Sequence, residues 1–537
     1  MDSAEVNDTG DSQDAQTNGP SVFGPAGPPQ GLWEVAQRLS AQSGDTTRGM
    51  GTIGEPTTAA GETASEGSAS DEFSYSLQED RTRGFGTVGE PRSLLPQRGE
   101  VFGTIPITPI PYRPNMPAKK RKVEWEFGDG LTAQSADGYF SLTFHNLTQV
   151  DYRAFYPSGD PLHDSFFIPR QRWYFLGNVS PYIEYYTVIN RGYGSLDLLD
   201  AFADINTGVI DRDKLKIRVG RMKTPYTYEY IKISETDLIA PERSVFVGNF
   251  APNREEGAMM HGQVIDKRVE YAIGVFNGPR RSFGDYNNSK DLFTFLNTKP
   301  FLLSGIDFLE QLNLGGSFNF GNQHNPLQPS NLRTASDQSP SVDANMVSPV
   351  FYTFGPNVFE SGMRMQWSAD LTYYYKSLGV LAGFQGGFQD YGVSPTPIPS
   401  NFVGVTSSSQ THVELMGWNV TVSYFLTGEE ITRRSFLLEP RHSFDGTWTH
   451  GHLGAFEVFS RFANLTMSNN SLALADPGMA SSNRANVIDN GFNWYLNHYT
   501  KLTLDWQLAS YGNPVQIAPG KTTLYNNILW ARVQIYF

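Results

Sequence analysis

Cysteine is absent from the 537 residues. Its absence removes disulfides, thiolate metal ligands and cysteine nucleophiles together. Long apolar runs are missing as well: no stretch of about 18 apolar residues occurs, so no transmembrane helix is encoded. Residues 1–20 have neither a basic n-region nor an apolar core, so the export signal of an envelope protein is expected upstream of Met1. Cationic charge is in short supply. The chain has 41 Lys+Arg against 55 Asp+Glu, a net charge of −14, which argues against a nucleic-acid binder. The nine histidines are scattered, and the nearest pair, His450 and His452, has no carboxylate pattern around it. No metal, no cofactor and no nucleophile–base arrangement is expected, so no catalytic residue is assigned and the chain does not read as an enzyme.

Aromatic residues are nearly missing from the first part of the chain. Residues 1–116 hold seven of them, out of 71 in the whole sequence (36 Phe, 26 Tyr and 9 Trp). The same stretch has seven arginines, no lysine and sixteen acids, and is rich in Gly, Ser, Thr and Pro. Too little apolar surface is available to offset the entropy of ordering, so 1–116 is predicted to be a disordered acidic tail, with one short helix over 33–39. A degenerate repeat lies in it, TRGMGTIGEP at 47–56 and TRGFGTVGEP at 82–91. Its Gly-x-Gly-x-x-Gly strings match a dinucleotide fingerprint only as strings, since no strand precedes them and no helix follows. Residues 106–117 are spaced by prolines and read as an extended connector. Residues 117–134 read as a basic linker. They open on PAKKRKV, which resembles a nuclear-import signal but is read here as a solvated basic patch.

From about residue 124 a two-residue period sets in. In 501–511, Leu502, Leu504, Trp506 and Leu508 share one face, while Lys501, Thr503, Asp505 and Gln507 share the other. Stretches 140–145, 312–320 and 367–375 alternate in the same way. Strict alternation puts one face of a strand in an apolar medium and the other in a polar one. Turn signals stand at 190–192, 278–279, 321–322 and 512–514, and PGKT at 519–522 reads as a turn rather than a phosphate loop. Longer polar stretches lie at 322–348, 394–410 and 475–486. A soluble β-sandwich would also alternate. Two features favour a membrane barrel: aromatics cluster near strand ends, and the last strand, 529–537, is apolar on one face through Phe537. The predicted fold is all-β, a transmembrane antiparallel β-barrel over 135–537.

Five segments then carry a resemblance. LKIRVGRMKTPY (215–226) resembles the "VRVGxFKTPF" strand and turn of the porin O/P family, the phosphate- and polyphosphate-selective outer-membrane porins. REEGAMMHG (254–262) leading to YAIGVFNG (271–278) resembles its "GxxxxG…YAIGVFNG" hairpin. SYFLTGE (423–429), GAFEVFSRFANL (454–465) and GFNWYLN (491–497) are similar to "YxLTGE", "GAxExxxRYxxL" and "GxNWYLN", with Phe462 where the family has Tyr. All five occur in family order. The resemblance implies a barrel of about 16 strands in the bacterial outer membrane, usually trimeric, passing small hydrophilic solutes and in particular anions by diffusion.

The expected pore-lining residues are Lys214, Lys216 and Arg218, which alternate with Leu215, Ile217 and Val219, together with Glu457, Arg461 and Arg532. A lumenal basic ladder lowers the barrier to anions; the bland reading is a set of cations balanced by acids on neighbouring strands. Arg221 and Lys223 fall out of phase with the ladder and are expected at the strand end, unless Gly220 marks a bulge. Glu457 and Arg461 are read either as pore charges or as braces of the wall. Val533, Ile535 and Phe537 resemble the terminal signal that barrel-assembly machinery reads. Expected partners are the lipid bilayer, small solutes, that machinery and two further copies in a homotrimer, with no nucleic acid. The rival reading is an envelope structural or adhesive barrel whose tail binds the cell wall.

Overall fold

The computed structural model describes residues 122–537 except for 160–161, 194, 207, 209–212, 281, 337–343, 400–401, 403, 435–437 and 448–450. The tail 1–116, its repeat and its short helix, the proline connector and the first residues of the basic linker lie outside the described residues. Twenty strands follow. β1 (Val123–Gly128) and β2 (Gly130–Ser135) form a hairpin, within the stretch expected to be linker. The next nine are β3 (Ser141–Tyr156), β4 (Ser165–Ser180), β5 (Ile183–Gly192), β6 (Ser195–Asn206), β7 (Lys216–Lys223), β8 (Arg254–Val264), β9 (Val269–Phe276), β10 (Asp291–Thr298) and β11 (Leu312–Asn325). A short ribbon, β12 (Leu332–Arg333) with β13 (Val350–Tyr352), stands apart from the main sheet. The last seven are β14 (Val358–Tyr375), β15 (Leu378–Val393), β16 (Ser409–Phe425), β17 (Ala455–Met467), β18 (Arg484–Tyr495), β19 (Thr500–Ala518) and β20 (Lys521–Tyr536).

β3 to β11 and β14 to β20 make a closed barrel of 16 antiparallel strands, each paired with its neighbours in sequence. β20 closes on β3, from Asn527 opposite Tyr156 to Tyr536 opposite Leu147. One residue further on, Asn146 and Phe537 exchange backbone hydrogen bonds of 2.9 and 3.2 Å. β2 then continues on that same edge of β3, with Leu131 opposite Phe144. β3 thus splints β20 and β2 end to end.

The alternation seen in the sequence is the alternation of environments. In β16 the side chains of Asn419, Thr421 and Ser423 are buried inside, while Met416, Trp418, Val420, Val422 and Tyr424 are exposed outside. In β20, Arg532 and Gln534 point inward, while Leu529, Val533 and Ile535 are exposed. Aromatics gather toward the rims. At the end where β3 begins, the ring centroids of Phe144 and Phe175 are 5.4 Å apart and those of Phe456 and Trp494 5.5 Å; at the other end Tyr152 and Phe166 are 4.9 Å apart. An apolar belt between two aromatic girdles is what a bilayer selects.

Three expectations need correction. The turns expected at 190–192, 321–322 and 512–514 lie inside strands: Asn190, Arg191 and Gly192 close β5, paired with Asp197, Leu196 and Ser195 of β6. Gly321 and Asn322 of β11 pair with Arg364 and Met363 of β14, so the strand runs on past them. Gly512, Asn513 and Pro514 sit in β19, where the register shifts between Ser510 and Val515 and the irregularity absorbs them. Tight and long connections occur at the same end of the barrel. The end where β3 begins has tight turns at 181–182, 265–268 and 376–377, but also the long connection 426–454. Ile431 of that connection is buried against Tyr374, Phe425 and Ala455, so it closes in beneath the barrel.

Val420 lies midway along the apolar outer row of β16. Val420→Arg is expected to cost about 2–4 kcal/mol, read as a lower guanidinium midpoint for unfolding from lipid vesicles. An unchanged midpoint would mean that this face does not meet lipid.

Candidate functional site

Between β7 and β8 the chain leaves the wall and fills the interior. Residues 224–253 hold two short helical pieces, Tyr228–Ile231 and Val245–Phe250. The Thr227 hydroxyl caps the first, accepting from the Tyr230 N–H at 3.1 Å. This segment shows no two-residue period because it is covered on all sides: Tyr226, Tyr230, Ile231, Ile233, Val245, Phe246, Val247 and Phe250 are all buried. It is also stapled to itself. The Glu229 carboxylate accepts from the backbone N–H and the hydroxyl of Ser244 at 2.7 and 2.6 Å. Arg243 donates to the carbonyls of Glu229 and Ile233 at 2.7 and 2.8 Å. Phe246 reaches the far wall at Gly417 of β16, where an added Cβ would stand 2.4 Å from its ring, so only glycine leaves room.

Two glutamates fix this inserted segment to the wall. Glu242 takes Arg170 of β4 through both guanidinium branches, 2.8 and 2.5 Å, and Arg532 of β20 at 2.9 Å. Arg532 also grips Asp151 of β3 at 2.6 and 2.8 Å, and Asp151 in turn binds Arg153 at 2.7 Å. Glu235 sits among Arg172 at 3.0 Å, Lys223 at 3.4 Å, and Arg243 and Arg254 each at 3.5 Å. Backbone carbonyls complete the attachment. Lys501 donates to Thr236 and Leu238 at 3.0 and 3.1 Å, Arg461 to Glu242 at 2.6 Å, and Asn493 to Ile239 at 3.0 Å. Burial alone would push the Glu242 carboxyl up, but Arg170 and Arg532 outweigh it and hold the group down at about 2. At Glu235 burial also opposes ionisation, and Lys223, Arg172, Arg254 and Arg243 together hold it well below the usual carboxylate range.

A second inward piece joins the first. Asn249 exchanges hydrogen bonds with the Arg333 backbone at 2.8 and 2.9 Å, tying the inserted segment to the β12–β13 ribbon. From the opposite end, Arg434 enters and pairs with Glu457, with a further bond of 3.1 Å to that carboxylate.

The residues predicted to line the pore are distributed as follows. Lys214 is exposed in the connection before β7, outside the strand. Lys216 pairs with Glu184 at 2.9 Å. Arg218 forms a two-pronged pair with Asp204 at 2.8 and 2.6 Å and lies 3.9 Å over the Phe202 ring. The supposed ladder is therefore matched by acids on neighbouring strands. Gly220 has φ +132, with the Ala201 carbonyl 2.2 Å from where a Cβ would stand, yet the pairing of β7 keeps its register there, so no bulge forms. Lys223 is the last residue of β7, and Arg221 pairs with Glu256 at 2.7 Å. Glu457 and Arg461 each have their own partner, Arg434 for the first and Asp489, at 2.7 Å, for the second. Arg532 lies at the centre of the attachment. Sequence reasoning missed Glu235, Glu242, Arg170, Arg172 and Arg254. The available signal was the lapse of alternation between the motifs at 215–226 and 254–262.

The profile described as phosphate-selective porin O and P matches residues 183–537. No curated protein matches the chain. Among solved structures, an anion-selective porin from Comamonas acidovorans is similar, at 9% identity over 74% of this chain and 100% of its own, with a TM-score of 0.43. The outer membrane channel DcaP of Acinetobacter baumannii is 10% identical over 75% of this chain and 99% of its own, with a TM-score of 0.42. OmpF of Salmonella typhi, in complex with daunomycin, is 11% identical over 77% of this chain and 100% of its own, with a TM-score of 0.42.

Glu242→Gln is expected to lose about 3 kcal/mol of stability at neutral pH. A carboxyl lowered from 4.5 to about 2 by folding contributes fully above its ordinary value and loses that contribution as pH falls through its folded one. The gap between variant and parent, measured by guanidinium unfolding in detergent, should narrow below pH 4.5 and close near pH 2. A gap that persists at pH 2 would show that Glu242 is not held as an anion.

Proposed function

The chain belongs to the phosphate-selective porin O and P family, and we propose that small anions, phosphate and polyphosphate among them, are the solutes its barrel passes. The family places the protein in the bacterial outer membrane as a passive diffusion channel. Anion preference is supported by one observation at the inserted segment. Glu235 is paired with Arg172, Lys223, Arg243 and Arg254, and Asp200 shares Arg254. Glu242 is paired with Arg170 and Arg532, and Asp151 shares Arg532 and takes Arg153. Across the two networks seven cations meet four carboxylates. The cationic surplus draws in an anion, and the resident carboxylates compete with it, so that binding stays weak enough for release.

In this reading Arg461 and Arg532 set the field at the segment, while Lys216 and Arg218 brace the wall. We also propose a homotrimer, as is usual in the family. Val533 and Ile535, on the outward face of β20, and Phe537, one residue past its end, are proposed as the signal for barrel assembly.

In planar bilayers under a KCl gradient, the reversal potential is expected to show chloride preference, and millimolar phosphate to lower the chloride conductance. Arg172→Gln should move the reversal potential toward the cation side. Cation preference in the parent protein would remove the anion reading.

A further inference from the structure

Barrel closure between β3 and β20 does not involve the hairpin β1–β2, yet the hairpin is firmly placed. Asp129 in its turn meets His498 Nε2 at 2.9 Å, and the Tyr499 hydroxyl donates to the Gly128 carbonyl at 3.1 Å. Among the described strands β1 pairs with β2 alone. Its residues split by face: Val123, Trp125 and Phe127 on one side, Glu124 and Glu126 on the other. Trp125 is 68% exposed and Phe127 62%. Leaving large apolar side chains in water is unfavourable, so this face calls for an apolar neighbour.

Continuity indicates which neighbour. Phe127 lies opposite Leu131, and Leu131 opposite Phe144, so all three share the outward face of the barrel. The Phe127 ring is 6.1 Å from that of Phe537, which is 6.5 Å from that of Phe144. The lipid-facing girdle therefore does not stop at the last row of the barrel but runs on down the hairpin. Aromatic rings on an exposed strand face suit the boundary of a bilayer, where they sit at headgroup depth.

We propose that the hairpin is a membrane foot: Trp125 and Phe127 lie in the bilayer leaflet at the end of the barrel where β3 begins. The absence of cysteine makes the test direct. Trp125→Cys, Phe127→Cys and, on the opposite face, Glu124→Cys would each carry a polarity-sensitive thiol dye in the full-length protein. Each is reconstituted in phospholipid vesicles, and heat-dependent gel mobility confirms a closed barrel. Labels at 125 and 127 should emit to the blue, be quenched by bromine on lipid acyl chains, and be several-fold less sensitive to aqueous iodide than the label at 124. Equal iodide quenching at all three positions would overturn the proposal. So would protection from iodide without bromolipid quenching, which would mean that protein rather than lipid covers the face.

Discussion

Hydrocarbon offers no hydrogen-bond partner to a peptide group, and each one left unpaired there costs several kcal/mol. The architecture is an answer to that constraint. A sheet with free edges is excluded, so β20 must pair with β3, although the two are separated by nearly the whole described chain. Closure then sorts every side chain. Residues of one phase face lipid and become Leu, Val, Phe and Trp. Residues of the other phase face an enclosed interior and can be charged. The charged interior is thus a consequence of the closed ladder, and the inserted segment exists because such an interior has room and charge to hold it.

Charge is present inside the barrel in quantity, and each ion at the inserted segment has a partner of opposite sign even though cations outnumber carboxylates. The wall supplies guanidinium groups, and the inserted segment supplies two of the carboxylates that meet them. An isolated ion in such a place would be too costly to bury, whereas a paired one fixes geometry. Glu229 with Ser244 gives the segment its own shape, and Glu235 and Glu242 give it its position. The narrow part of the barrel is therefore set by ion pairs between side chains far apart in the sequence.

This distance also marks the boundary of what could be read beforehand. Strands 312–320, 367–375 and 501–511 were legible because a two-residue period is local, and each proved to be part of a longer strand. Their true ends were not legible. Gly321 and Asn322 look like a turn to a local reader, but Arg364 and Met363 supply the partners that keep them in β11. The ladder at Lys216 and Arg218 was legible as cations on one face. Its matching acids, Glu184 and Asp204, come from neighbouring strands, and only the register reveals them. The segment 224–253 has no period at all, and its anchors come from β3, β4, β7, β8, β17, β18, β19 and β20. No sequence window contains them.

The seam between first and last strand is where a barrel would be expected to part sideways. Here it is cross-tied from within. Glu242 holds Arg170 on β4 and Arg532 on β20, one strand to either side of β3, while Asp151 on β3 itself takes Arg532. Sliding or splaying the seam strands would have to break this knot as well as the backbone ladder. The segment that narrows the passage is therefore also an internal hoop, and a change that widens the pore by loosening Glu242 will at the same time make the wall easier to open.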